Sequence, residues 1–344
     1  MHTLVLTCAG SSTRYKGYGP KWSLTHPSGN LMACESIKGL TGYDNLYIVI
    51  NEEQAVEFPV EDIKQEFHHA GYEPEIIIIS KTSSQVETVK EFLKRVLITS
   101  YFTIKDCDNY FNHDLKDAPS VAVSKIKKNV EASNKSYVSN IGKINSIVEK
   151  EVISNFFCVG AYTFESGGQF LKGCDGAEYV SQVISNLLTT DSFESLLVDD
   201  YVDWGTSKEW KSFKESYATI FCDIDGVLSY NSHRTFGIGW GGKETIQENV
   251  KLLNELYDSK RFYIVLTTSR GKSFYSSTKK QLKDLKYDYL LMGLPACQRV
   301  LINDFVPSRS SKTAHSINLE RDSKELRELF FEAIGDYDGL FSRD

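Results

Sequence analysis

The chain has 344 residues, of which 41% are apolar and 25% charged, with a formal net charge of −7. This composition is typical of a globular protein, the length favours two domains, and the acidic balance disfavours binding to nucleic acid or to anionic membranes. The seven cysteines are scattered without a C-x-x-C spacing and no apolar run is long enough to span a membrane, so we expect a cytoplasmic protein with reduced thiols and no membrane insertion.

Short apolar runs alternate with amphipathic segments through the first half, which predicts an α/β fold. A helix is predicted to begin after Ser84, because Ser84 and Glu87 form a capping box and apolar residues recur at helical spacing as far as Leu97. Residues 136–148 and 156–164 are typical of antiparallel strands, so a mixed sheet is expected. The earlier strands are predicted at residues 3–7, 46–50, 76–79 and 101–104.

A domain boundary is predicted after residue 214, where a polar helical segment over 207–215 gives way to a new apolar run. The first domain is therefore residues 1–214 and the second is residues 215–344. The second repeats the alternation of strands and helices, which predicts another largely parallel sheet. Its strands are predicted at residues 219–222, 262–267 and 300–302, and its helices at residues 244–257, 278–285 and 324–334.

A loop of small residues follows the first predicted strand. Backbone N–H groups in such a loop can approach a triphosphate, and Arg14 and Lys21 would supply the positive charge that the loop lacks. By itself the pattern is also typical of an ordinary strand-to-helix turn. The candidate nucleotide-binding residues of the loop are Ala9, Gly10, Ser11, Ser12 and Thr13.

Residues 1 to about 210 resemble the nucleotidyltransferases that activate sugar phosphates or alcohol phosphates. The signature of that family is G-x-G-T-R and, after a gap, P-K-x-L. Here it corresponds to Gly10-Ser11-Ser12-Thr13-Arg14 and Pro20-Lys21-Trp22-Ser23-Leu24, with Ser12 in place of the second glycine. Further family segments follow in the same order at residues 85–88, 105–109, 148–150, 159–162 and 202–206.

The resemblance implies a Rossmann-like mixed sheet of the GT-A type and transfer of a nucleotidyl group to a small sugar or polyol phosphate. CTP is the favoured donor, because the domain is most similar to cytidylyltransferases that act on phosphocholine-like alcohol phosphates. UTP, dTTP and GTP remain alternatives. The pathway it implies is synthesis of capsule or surface-polysaccharide precursors.

The resemblance also implies roles for single residues. Lys21 would contact the phosphate under attack and Arg14 the leaving pyrophosphate. Gln85 and Thr88 would lie beside the nucleobase of the nucleotide. Mg²⁺ prefers carboxylate, phosphate and water oxygens. The preferred ligands are Asp108 and Asp203, with Asp106 as a substitute for Asp108, and a solvated acidic turn is the alternative for Asp106 and Asp108. For the acceptor, Lys150 would bind its phosphate and Glu178 its hydroxyl or amine.

Residues 219 to 344 resemble the haloacid-dehalogenase superfamily of phosphatases. The run Phe221–Leu228 contains D-x-D-G-V, in which Asp223 would be the nucleophile and Asp225 the general acid and base, and both would be Mg²⁺ ligands. Thr268 matches the hydroxyl donor of the second motif and Asp304 the metal ligand of the fourth. Arg299 is the candidate for the basic residue of the third motif and Lys279 is its rival. The short spacing between motifs indicates no large cap domain.

Together these patterns predict a bifunctional Mg²⁺-dependent enzyme, a nucleotidyltransferase joined to a phosphatase. The sequence allows an oligomer. One alternative is that the second domain is a degenerate binding or scaffolding module, because its fourth motif offers Asn303 where the family often has a second acid. A glycosyltransferase is disfavoured, since it would leave the segment from Thr13 to Lys21 without a role.

Overall fold

The computed structural model describes residues 1–15, 19–126, 134–230, 244–303 and 314–334. The chain divides into two units, Met1–Lys214 and Glu215–Asp344. Within those ranges, no helix combines the length and the apolar content that a membrane span requires. All seven cysteines are free, and only Cys297 is exposed.

The first unit is built around one large mixed sheet. Its strands, with those of a small side sheet, are β1 (Thr3–Thr7), β2 (Leu40–Thr41), β3 (Asn45–Asn51), β4 (Glu75–Ile79), β5 (Phe102–Asp106), β6 (Asn109–Asp114), β7 (Ser120–Lys125), β8 (Ser136–Val138), β9 (Gly142–Lys143), β10 (Ile147–Glu149), β11 (Phe156–Phe164), β12 (Glu194–Leu197) and β13 (Asp199–Asp203). Its helices are α1 (Met32–Ile37), α2 (Glu52–Glu57), α3 (Val60–His69), α4 (Gln85–Leu93), α5 (Gly167–Lys172), α6 (Val180–Leu187) and α7 (Ser207–Glu215).

The order of the large sheet is β4-β3-β1-β5-β11-β7-β12-β9. Strands β4, β3, β1 and β5 are mutually parallel, whereas β11 runs antiparallel to both β5 and β7. The mixed sheet that the sequence predicts is therefore confirmed. Thr7 pairs with Asp106 where β1 and β5 end, so the loop after β1 and the turn after β5 start side by side.

Helix α4 begins as predicted but is shorter. The Ser84 side chain accepts a hydrogen bond from the N–H of Glu87, as an N-cap does, while the Glu87 carboxylate accepts from the N–H of Ser83. The helix ends at Leu93, because the chain turns at Lys94, and Leu97 is exposed. The predicted extension to Leu97 is wrong.

The second unit contains a three-stranded parallel sheet in the order β14-β15-β16. Its strands are β14 (Ala218–Asp223), β15 (Phe262–Thr267) and β16 (Tyr289–Leu291), and its helices are α8 (Gln247–Asp258), α9 (Tyr275–Gln281) and α10 (Leu326–Ile334). Helix α8 packs on β15 and on α10. Its buried Leu253 and Leu256 belong to one apolar cluster with Ile264 of β15 and Phe330 of α10.

The strand predicted at residues 300–302 is wrong. Val300, Leu301 and Ile302 are 82%, 64% and 90% exposed and have no strand assignment. The third strand is β16, which pairs with β15 along residues 265–267. An apolar run forms a strand only if it pairs with a neighbouring strand, and the two partners of β15 are β14 and β16. Asp304, which was expected to follow the strand, lies outside the described residues.

Gly39 lies directly before β2, which belongs to the small side sheet of order β13-β6-β2. A substitution at Gly39 tests the packing of that sheet. A Cβ on Gly39 would lie less than 3.0 Å from the carbonyl oxygen of Phe111 in β6, a backbone atom that cannot rotate away. Gly39→Ala should therefore lower the free energy of unfolding of the first unit by about 1–3 kcal/mol. Urea unfolding can be followed by the fluorescence of Trp22, Trp204 and Trp210, which are all buried in this unit.

Gly168→Ala in α5 is the matched control, because the nearest neighbour of its added Cβ is 3.6 Å away. It should raise stability by up to about 1 kcal/mol, since alanine is the better helix residue. Equal urea midpoints for the two variants would contradict the packing described for β6.

Candidate active site

A cavity of about 670 Å³ opens in the first unit beside the ends of β1 and β5. Ala9 and Ser12 do not line it, and Ala9 is buried. The other residues proposed for this unit all contribute to its wall. They are Gly10, Ser11, Thr13, Arg14, Lys21, Gln85, Thr88, Asp106, Asp108, Lys150, Glu178 and Asp203. The fold thus brings together residues that are up to 193 positions apart in the sequence, from Gly10 to Asp203.

Asp108 is the centre of the charged wall. Its Oδ2 atom accepts a hydrogen bond from Lys21 Nζ at 2.5 Å and lies 3.6 Å from Arg14 Nη2. Burial by itself would raise the pKa of Asp108, but the positive charges of Lys21 and Arg14 outweigh burial and lower it. For Lys21 the signs are reversed. Burial by itself would lower the pKa of Lys21, but the negative charge of Asp108 outweighs burial and raises it. Both groups are therefore held in their charged forms.

Asp203 approaches the same place from β13. A Cβ on Gly205 would lie 3.0 Å from Asp203 Oδ1 and 3.5 Å from Asp108 Oδ2, so the two carboxylates face one small volume. Two carboxylates beside a cavity that can admit phosphate are a suitable donor set for Mg²⁺. Within the described ranges, no three His, Cys, Asp or Glu side chains form a metal-binding group. Any Mg²⁺ here would therefore depend on phosphate and water for its other ligands.

Asp106 has different surroundings from Asp108. Its Oδ1 atom accepts a hydrogen bond of 2.6 Å from Gln85 Nε2, which also donates to Thr7 Oγ1 at 2.9 Å. Burial and the neighbouring Asp108 charge raise the pKa of Asp106. Gly160 has a φ of +78° and leaves no room for a Cβ beside this carboxylate. Gln85 thus holds Asp106 in the cavity wall. The Thr88 hydroxyl is hydrogen-bonded to the Thr82 hydroxyl and donates to the carbonyl of Ser84.

The glycine loop is fixed from behind by residues that the sequence analysis did not single out. Asn51 Nδ2 donates to the carbonyl of Ala9, and Gln54 Nε2 donates to the carbonyl of Cys8. Ser12 has a φ of +49°, a left-handed conformation that glycine adopts at less cost than serine. Its hydroxyl accepts from the N–H of Lys21, which ties the loop to the P-K segment.

Two further lysines, neither assigned a role from the sequence, support or line the site. Lys105 is fully buried and donates to the carbonyls of Asp106 and Asn109 and to the Asn109 side chain, so it fastens the turn that carries Asp108. Burial lowers the pKa of Lys105 to about 8. Lys135 lines the cavity and its Nζ donates to the Asp203 carboxylate. Lys105 stands next to the two acids of residues 105–109, so the sequence contained a signal for it. The residues around Lys135 contain no such signal of a site.

Another part of the cavity wall, formed by Glu149, Lys150, Glu178 and Tyr179, carries both positive and negative side chains. Lys150 Nζ donates to the Tyr179 hydroxyl at 2.7 Å and lies 4.5 Å from the centroid of that ring. The Glu149 carboxylate accepts from the hydroxyls of Ser136 and Ser181. Glu178 also lines this side. These groups can bind hydroxyl or amine substituents of a small molecule, so this side suits an acceptor rather than a triphosphate.

Among the solved structures that share this fold are two enzymes. The nucleoside-diphosphate-sugar pyrophosphorylase from Vibrio cholerae RC9 superposes with a TM-score of 0.50 at 17% identity, over 62% of this chain and 99% of its own. The inositol-1-phosphate CTP transferase from T. maritima gives a TM-score of 0.50 at 12% identity, over 62% and 93%. The first unit thus has a nucleotidyltransferase-like fold. No protein-family model matches the chain, and no curated protein matches it in sequence.

The second unit has its own group of charged residues where β14 and β15 end. Asp223 is the last residue of β14, and Arg299 Nη1 lies 3.1 Å from its Oδ1 atom and 3.0 Å from Thr267 Oγ1. Burial raises the pKa of Asp223, although Arg299 opposes the shift. Lys279, the rival for the third motif, is placed over the ring of Tyr275 instead. The geometry therefore favours Arg299.

Asp225 is held by a buried arginine that the sequence analysis did not assign. Arg270 is 1% exposed and donates hydrogen bonds of 2.8–3.1 Å from Nε and Nη2 to both carboxylate oxygens of Asp225. Its Nη1 donates to Thr278 and Gln281 on α9. Thr268 Oγ1 donates to Asp225 Oδ2 at 2.9 Å. Asp225 is thus an acceptor in a network that joins the segments after β14 and β15 to α9.

Removing Arg270 should destabilise the second unit more than removing both charges. Arg270→Met leaves the Asp225 carboxylate without its cation, and we expect a loss of about 3 kcal/mol, near the lower limit for breaking a buried ion pair because Asp225 is 25% exposed. The double variant Arg270→Met/Asp225→Asn should recover part of that loss. Labelling of the buried thiol of Cys222 during urea unfolding, located by peptide mass spectrometry, reports on this unit. A double variant no more stable than Arg270→Met would contradict the pairing.

Proposed function

We propose that the first unit is a cytoplasmic nucleotidyltransferase that transfers a nucleotidyl group, with CTP as the favoured donor, to a small sugar or polyol phosphate and releases pyrophosphate. The observation that carries the proposal is that Asp108 and Asp203 face one volume, with Lys21 and Arg14 beside it, inside a cavity at the ends of β1 and β5. The shared fold with two nucleotidyltransferases supports it.

Each part of the cavity has a task in this reaction. An oxygen of the acceptor phosphate forms a bond to the α-phosphorus while the bond from that phosphorus to pyrophosphate breaks, so catalysis requires positioning and positive charge. Lys21 would stabilise the phosphate under attack and Arg14 the departing pyrophosphate. The N–H groups around Gly10 and Ser11 can approach the triphosphate, because a Cβ on Gly10 would meet nothing within 4 Å.

Asp108 and Asp203 are the residues that would hold Mg²⁺. The ion would neutralise negative charge on the phosphates as it develops. Asp106 remains the substitute for Asp108, and its hydrogen-bond partner is the neutral Gln85 side chain instead of a lysine. Gln85 and Thr88 lie in the same wall and are our candidates for contact with the base, while Glu178 would bind the acceptor.

We further propose that the second unit is a phosphatase that acts on a phosphomonoester through an aspartyl phosphate. Asp223 would attack phosphorus, Arg299 and Thr268 would bind the phosphoryl group, and Asp225 would protonate the leaving oxygen. Asp304 remains the proposed additional Mg²⁺ ligand.

One observation favours the second candidate, a binding module without turnover. Both oxygens of Asp225 already accept from Arg270, an arrangement suited to a carboxylate rather than to a proton donor. The proposed pathway is synthesis of surface-polysaccharide precursors.

One assay tests both units in the full chain. The protein is supplied with Mg²⁺, each nucleoside triphosphate in turn, and phosphocholine, glucose 1-phosphate or glycerol 3-phosphate, and pyrophosphate and inorganic phosphate are measured separately. Pyrophosphate should form with one acceptor and depend on Mg²⁺. Asp108→Asn should reduce its formation at least a hundredfold, which is of the order found when one electrostatic partner of a transition state is removed.

Asp223→Asn is the matched variant in the other unit. It should abolish phosphate release and leave pyrophosphate release unchanged. Phosphate release that persists in Asp223→Asn, or that is absent from the unaltered protein, would support the binding-module alternative. No pyrophosphate with any triphosphate and acceptor, or an Asp108→Asn variant as active as the unaltered protein, would contradict the transferase.

A further inference from the structure

Trp204 lies where three segments of the first unit meet. Its backbone N–H donates at 2.9 Å to the carbonyl of Asp108, in the turn after β5. Its own carbonyl accepts a hydrogen bond from the hydroxyl of Tyr15, at the end of the glycine loop. The next residue, Gly205, donates from its N–H to Asp203 Oδ1 at 2.9 Å. The backbone of Trp204 thus connects the loop after β1 to both segments that carry the acids of the site.

Tyr15 is buried beside the site and does not line the cavity. It is 1% exposed and belongs to one apolar cluster with Met32, Trp204 and Trp210. Burial and the nearby Asp108 charge both raise the pKa of Tyr15, so its hydroxyl keeps the proton that it donates to the Trp204 carbonyl. The proposed function assigns no task to this residue. Because Tyr15 does not reach the cavity, any effect of its hydroxyl on the reaction must pass through Trp204.

The two acids need support from the backbone that carries them. A Cβ on Gly205 would lie 3.0 Å from Asp203 Oδ1 and 3.5 Å from both Asp108 Oδ2 and Arg14 Nη1, so charged groups surround this glycine closely. Like charges that face one volume repel each other until a cation binds between them. Pairing of Asp203 with Asn109 fixes the end of β13 against β6. The hydrogen bond from Tyr15 acts just beyond that strand end, where the ladder stops.

We propose that Tyr15 is a positioning residue for the metal site, because its hydroxyl, through the Trp204 carbonyl, holds the segment after β13 so that the carboxylates of Asp203 and Asp108 converge on one Mg²⁺. This inference rests on the metal site of the proposed function and deepens it. Phenylalanine at position 15 would keep the ring in its apolar cluster and leave the Trp204 carbonyl without this donor. The segment would then be less ordered, and ordering it when the ion binds costs affinity.

The test measures binding of Mn²⁺ to Tyr15→Phe in the full chain, from the electron paramagnetic resonance signal of the free ion. Asp108→Asn identifies the share of bound Mn²⁺ that belongs to the first unit. Tyr15→Phe should weaken that share roughly three- to tenfold, the equivalent of one neutral hydrogen bond. The Mg²⁺ concentration that gives half the maximal rate of pyrophosphate formation should rise by a similar factor. The rate should recover at saturating Mg²⁺, since the bound ion then holds the two acids itself.

Tyr72→Phe is the matched control, because Tyr72 is a half-buried tyrosine that packs against Phe67 and does not line the cavity. It should bind Mn²⁺ as the unaltered protein does. Unchanged Mn²⁺ affinity in Tyr15→Phe, or an equal loss in both variants, would overturn the inference. A Tyr15→Phe variant that loses its fold would also overturn it, since the hydroxyl would then support the whole unit.

The same measurements separate this inference from the proposed function. If the unaltered protein forms no pyrophosphate but Tyr15→Phe still weakens its Mn²⁺ binding, the transferase proposal fails and the role of Tyr15 stands. If Asp108→Asn leaves the Mn²⁺ binding of the protein unchanged, the metal site fails, and the inference fails with it.

Discussion

The ion pair between Lys21 and Asp108 is the interaction on which the first site depends. The side chains are only 20% and 8% exposed, and a charge removed from water without a partner costs several kcal/mol. Each group therefore requires the other while the cavity contains no substrate. A triphosphate can replace Asp108 as the partner of Lys21, and a cation can replace Lys21 as the partner of Asp108. Such an exchange keeps the buried charges balanced and makes the site ready for an anion and a metal together.

The other acid–base pairs differ in how easily they can exchange partners. Lys135 and Asp203 are 19% and 15% exposed, and Arg299 and Asp223 are 42% and 38% exposed, so incoming phosphate can reach both pairs. Arg270, at 1% exposure, is bound on three sides by Asp225, Thr278 and Gln281. That arginine is part of the framework of the second unit. The two accessible pairs can thus exchange partners with a phosphate, whereas the Arg270 pair has a structural role.

Much of the fold followed from local patterns. The strands at residues 3–7, 156–164 and 262–267 are found with the predicted bounds, because each is apolar and stops at a polar or turn-forming residue. The run at 300–302 has the same local character but is exposed and pairs with no strand of the described sheet, which only tertiary structure decides. In the site, acids and glycines stand next to strands and are visible in sequence. Lys135 bonds to Asp203, 68 positions away, and Arg270 to Asp225, 45 positions away, so no spacing within a motif could indicate them.

The most direct test of the account is the position of a bound metal ion. Crystals of the full chain grown with Mn²⁺ and a non-hydrolysable CTP analogue would give an anomalous diffraction signal at the metal. We predict a peak in the first unit between the carboxylates of Asp108 and Asp203, with Lys21 turned from Asp108 to the phosphates and the triphosphate against the Gly10 loop. A first unit whose metal ion lies away from these two acids, or a nucleotide outside this cavity, would contradict it.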